Sequence, residues 1–109
     1  MIAAFVDDLL FRSKIRAVAS HTGAAVSFVR TPTDPEVAHA AMAIVDLDAQ
    51  DAVATVVALR GAWPVLRVVG FVSHVHAERI RDARAAGVSE VMARSTFVNT
   101  LPDLLSADS

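Results

Sequence analysis

Five short apolar runs recur along this chain, at residues 2–6, 24–29, 41–45, 65–72 and 90–93, and longer stretches with helical spacing separate them. The runs are largely continuous. They do not alternate apolar with polar, as a strand with one wet face would. A strand reads this way when both of its faces are covered, which predicts a parallel sheet with helices packed on each side. Between the first two runs, Phe11, Ile15, Val18 and Ala19 fall on one helical face, and Gly23 marks the stop. Thr31-Pro32-Thr33-Asp34-Pro35 reads as a turn leading into a short helix through about Ala40. Residues 50–61 and 74–86 read as helices closed by Gly61 and Gly87. A last helix is expected with Ser95 as its cap and Phe97, Leu101, Leu104 and Leu105 inward.

Five strands alternating with five helices, joined by right-handed crossovers, leave few arrangements. The order 2-1-3-4-5 is expected, a doubly wound α/β fold. At 109 residues the chain fits one domain spanning 1–109, with no room for a separate output domain. The hydrophobic share, 54%, is enough to build a core on both faces of a sheet.

Composition also excludes several functions. Without cysteine there are no disulfides, thiolate metal sites or cysteine nucleophiles, which fits a cytoplasmic protein. No leader-like start and no long apolar span occurs, so no membrane role is expected. A net charge of −2 gives no general attraction to nucleic acid. The charge is nonetheless uneven. Residues 34–51 hold five carboxylates and no Lys or Arg, whereas residues 60–94 hold six arginines. The second stretch is a solvated helix face or a surface for an acidic partner.

Ligands of a doubly wound sheet bind beyond the carboxyl ends of the strands, where strand order reverses. In this order that point lies between strands 1 and 3. Strand 1 runs into Asp7-Asp8 and strand 3 into Asp46, so three carboxylates are predicted to meet. Like charges about 4 Å apart repel by ~4 kcal/mol at an effective dielectric near 20. A cation, a proton or splayed side chains must offset this, and Mg²⁺ suits oxygen ligands best. The plainer alternative is that Asp8 caps the first helix while Asp7 faces water.

Val-Asp-Asp on strand 1, Ile-Val-Asp on strand 3, a hydroxyl after strand 4 and a cation after strand 5 resemble response-regulator receiver domains, over essentially the whole chain. The resemblance implies a flavodoxin-like, CheY-like fold and a signalling module, not an enzyme. It places Asp46 at the phosphoacceptor position, served by a histidine kinase. Asp7 and Asp8 fall at the acidic pair that holds Mg²⁺ together with Asp46. Asp48 falls where a backbone carbonyl completes the metal site. Ser73 and Arg94 fall where a hydroxyl and a lysine contact the phosphoryl group. Arg94 keeps the charge of that lysine but changes its reach and hydrogen-bond geometry. Ser95 stands where a proline usually follows. The segment from Gly70 to Phe97 is also similar to that of small stand-alone receiver-like bacterial proteins.

Three functions follow from these residues. One is a phosphoacceptor switch at Asp46, acting through a signalling partner or a homodimer. A second is a phosphorylation-independent adaptor, motivated by Arg94-Ser95 in place of Lys-Pro. A third, with little room in so short a chain, is metal-dependent phosphoester hydrolysis. Ser73 has a competing role as cap of the helix expected from His74. His74 and His76 are too close along a helix to share a face, which argues against zinc. Trp63, ahead of Pro64, is expected to cover the bottom of the sheet or to serve a partner surface.

Overall fold

Strands β1 (Ile2–Phe5), β2 (Val26–Phe28), β3 (Met42–Asp46), β4 (Arg67–Val72) and β5 (Glu90–Ala93) form one parallel sheet in the order β2-β1-β3-β4-β5. This is the expected order. The computed structural model describes residues 1–73 and 77–107. The zinc reading of His74 and His76, and a helix start at His74, lie outside the described residues.

Side chains alternate along each strand, and here both sets are buried. Ile2, Ala4, Met42, Ile44, Val69 and Phe71 point into one layer, closed by α1 (Leu9–Thr22) and α4 (Arg94–Ala107). Ala3, Ala43, Val45, Val68 and Val72 point into the other, closed by α2 (Ala52–Ala62) and α3 (Ala77–Ala86). The first layer is aromatic at its centre. Phe71 stacks between Phe11 and Phe97, with ring centroids 4.7 and 4.6 Å away. Stacked pairs of this kind contribute about 0.5–1.5 kcal/mol each beyond their buried area.

Several boundaries differ from the sequence expectation, each for a local reason. The short helix after β2 is a five-residue 3-10 helix, Pro35–His39, opened by Asp34 accepting from the Glu36 amide at 2.9 Å. The described helices are therefore four α-helices and this 3-10 turn. Gly61 does not end α2, which runs on to Ala62, with Trp63 at its cap. Pro64 and Val65 form a turn, so β4 begins only at Arg67, and Val65 is fully exposed. Ser95 is not a cap, because β5 passes straight into α4 at Arg94. Among the described residues no helix is long and apolar enough to cross a membrane.

The amino-end rim is held by one arginine. Arg60 Nη1 donates to the carbonyls of Leu66 (2.6 Å) and Pro64 (2.8 Å), and Nη2 donates to that of Gly87 (2.6 Å). Gly87 itself sits at φ +119°, and a Cβ there would lie 2.9 Å from Arg60 Nε. Beside it the Trp63 indole, half-buried against the second layer, donates to the Pro32 carbonyl at 2.9 Å.

Candidate functional site

The parallel arrangement gathers the strand carboxyl ends and the helix N-termini at one rim. Unpaired amide N–H groups face outward there, a natural place for carboxylates. Asp8 caps α1: its Oδ1 accepts from the amides of Leu10 (2.9 Å) and Phe11 (3.2 Å). These bonds, with that to Phe11 foremost, and the nearby Arg94 outweigh desolvation and hold its carboxyl below the usual range. Its Oδ2 lies 3.4 Å from Arg94 Nη2.

Asp46 ends β3 and is only 8% exposed. Strand alternation sets it on the Ile44 side, next to Phe71 of β4 in register. Its Oδ1 accepts from the Asp48 amide at 2.9 Å. Burial is the main influence on its carboxyl and raises its pKa; the Asp48 amide opposes this. The charges of Asp48 and Asp8 push it further up, while Arg94 pulls it down.

Asp48 turns toward the next strand end. Both its carboxylate oxygens accept from the Ser73 amide, at 2.9 and 3.2 Å. Ser73 thus meets the rim through its backbone, and its side chain is exposed. Arg94 enters from the end of β5. Its guanidinium carbon stands 4.2 Å from the Phe11 ring centroid and 5.9 Å from that of Phe71.

A cavity of about 400 Å³ opens beside this rim. Asp7 and Asp46 line it together with Arg12, Arg30, Asp51 and Thr55. The predicted carboxylates are therefore divided: Asp7 and Asp46 share the cavity, whereas Asp8 and Asp48 face amides and Arg94. Sequence reasoning did not single out Arg12, whose Nε donates to the Val6 carbonyl at 2.6 Å and whose guanidinium covers Phe28 at 4.9 Å. It also missed Arg79, which donates to the Leu47 carbonyl at 3.0 Å from α3. Neither contact is announced by neighbouring residues, since the partners of Arg12 lie before its helix and on β2 and that of Arg79 follows β3.

Fit to a divalent ion can be judged from the oxygens. Asp8 has both carboxylate oxygens engaged and Asp46 has one, while the Asp48 side chain is turned away to share the single Ser73 amide. Among the described residues no three acidic or histidine side chains are grouped to hold a metal ion. In this arrangement the residues do not fit Mg²⁺, which demands near-octahedral oxygens and dehydrates reluctantly.

No family model matches the chain, and no curated protein matches it. Solved structures do. The chain is similar to the chemotaxis protein CheY4 of Vibrio cholerae, with a TM-score of 0.78 at 15% identity over 99% of this chain and 97% of that one. It is similar to a response regulator from Thermotoga maritima, with a TM-score of 0.75 at 11% identity, over 97% and 93% of the two chains. A third is a Burkholderia pseudomallei response regulator holding a phosphorylated aspartic acid and a calcium ion. There the TM-score is 0.73 at 16% identity, over 95% of this chain and 65% of that one. The fold is that of CheY-like receiver domains.

Proposed function

We propose that the chain is a receiver-type signal-transduction module that works through protein–protein contacts, in the cytoplasm, without needing a phosphoryl group. The observation that carries this reading is the state of the rim carboxylates. Asp8 and Asp48 are bound to amides of their own fold, and the Arg94 guanidinium lies 3.4 Å from the Asp8 carboxylate. A metal ion or phosphoryl group drawing on Asp8 would first have to break these contacts. The partners of this reading are another signalling protein or a second copy of the chain.

The test is incubation with acetyl phosphate and Mg²⁺, followed by intact-mass measurement. We expect no phosphoryl-sized gain, and we expect Asp46→Asn to leave the oligomeric state and partner binding unchanged. A gain that disappears in Asp46→Asn would overturn the reading.

That outcome would establish the second reading, a phosphoacceptor switch at Asp46. It is favoured by the burial of this one carboxylate at the end of β3 and by the phosphorylated aspartic acid of the Burkholderia regulator. An Asp46 oxygen would attack phosphorus and form the new O–P bond, with acetate leaving from acetyl phosphate. A histidine kinase would be the donor protein, and Ser73 and Arg94 would contact the phosphoryl oxygens. Phosphoester hydrolysis is the least supported reading, since among the described residues no three acidic or histidine side chains are grouped as metal ligands.

A further inference from the structure

The misfit to a divalent ion has a physical source in Arg94. Its guanidinium is fixed from two directions. On one side lies Asp8 Oδ2 at 3.4 Å, and on the other the Phe11 ring at 4.2 Å. Phe11 is itself held in the three-ring stack with Phe71 and Phe97, so the seat beneath the cation is part of the core. Among the described residues Arg94 Nε is buried without a hydrogen-bond partner. The charge of the guanidinium also acts on Asp46.

We infer that Arg94 is the resident cation of the acidic rim, occupying the electrostatic role of a divalent ion and excluding such ions. A dication entering the cluster would have to displace a guanidinium that lies against both Asp8 and the Phe11 ring. It would also have to compete for Asp8, whose oxygens Arg94 and the α1 amides already hold. The inference rests on the reading proposed above, that the rim works without phosphoryl transfer, and it deepens that reading by naming what replaces the ion.

The experiment is a Mg²⁺ titration at constant ionic strength, followed at the backbone amides of residues 7, 8, 46 and 48. It compares the unmodified protein with Arg94→Met. Methionine keeps an apolar stem over the aromatic rings and removes the charge. The unmodified protein should show only a shallow, unsaturating drift. Arg94→Met should saturate, with an apparent affinity roughly tenfold or more tighter, as expected for removal of one nearby unit charge. Its thermal midpoint should also rise with added Mg²⁺, while that of the unmodified protein stays put. Arg94→Gln repeats the neutral arm if the methionine variant does not give a folded spectrum. Saturation in the unmodified protein would overturn the inference, and so would its absence in both neutral variants.

The two proposals can fail separately. Saturable Mg²⁺ binding without acetyl phosphate labelling would remove only the role of Arg94. Labelling at Asp46 with no saturable Mg²⁺ binding would remove only the phosphorylation-independent reading.

Discussion

The two rims of the sheet solve opposite problems. At the carboxyl-end rim the exposed backbone groups are N–H donors, and Asp8, Asp46 and Asp48 accept from them. At the amino-end rim they are carbonyls, and the cation of Arg60 donates to those of Pro64, Leu66 and Gly87. The polarity of parallel strands and their following helices sets this division before any question of function arises. The difference lies in what is left over. Arg60 uses its charge to bind the fold together. The carboxylates leave Asp46 buried with its charge incompletely compensated. One rim is a clasp, and the other keeps a buried carboxyl that holds its proton more tightly than usual.

The largest expected effect lies at the clasp. Arg60→Met should lower stability by about 2–4 kcal/mol, because several carbonyls lose a charged donor at once. For a chain of this size that is a fall of roughly 10–20 °C in thermal midpoint. Gly87→Ala should also destabilise, since its backbone angle is left-handed and the new Cβ would press on Arg60. The double variant should lose less than the two single variants added together, because the contact they share is counted twice. Additive losses would mean that the clasp and the turn act independently, and the contrast between the rims would weaken.

A smaller effect of opposite sign belongs to the other rim. Asp46→Asn keeps an oxygen for the Asp48 amide and removes the buried charge. It should raise stability by on the order of 1 kcal/mol near neutral pH, the size of an ordinary single-site change. Because the folded Asp46 binds its proton more tightly than the unfolded chain does, its stabilising contribution is complete below the ordinary carboxylate range. It is lost as pH rises through the raised value. The advantage of Asp46→Asn should therefore shrink on acidification, as denaturant melts at several pH values would show. A destabilised Asn variant would mean that the charge is already balanced.

Much of the scaffold could be read from the chain because its signals are local. Continuous apolar runs predict buried strands, and the buried residues of β3 and β4 fill both layers. Asp8 as a helix cap was likewise legible from its place before Leu9. What escaped depends on distant partners or on exact boundaries. Nothing near Arg60 announces that its guanidinium will reach Gly87, and nothing near Arg94 announces a seat on Phe11. Ser95 looked like a cap because a loop was assumed before the last helix, and β5 leaves none. The acidic rim was legible as a set of residues, but which oxygens would be occupied depends on amides contributed by three different strand ends.

Asp8→Ala should give the smallest change, and its pH dependence is the sharpest check on the contrast within the carboxyl-end rim. Asp8 is exposed and its pKa is lowered, first by the Phe11 amide. A depressed carboxylate contributes stability above its unfolded value and loses that contribution as pH falls through the folded one. The alanine variant should therefore be slightly less stable at neutral pH and converge on the unmodified protein in acid. The Asn variant of Asp46 also converges in acid, but from the more stable side. Added salt should shrink the part of the loss that comes from Arg94, since that pair is only half-buried. The capping bonds should resist salt. If the two variants instead deviated in the same direction at neutral pH, the buried and capping carboxylates would be electrostatically alike, and Asp46 would have no special claim to regulation.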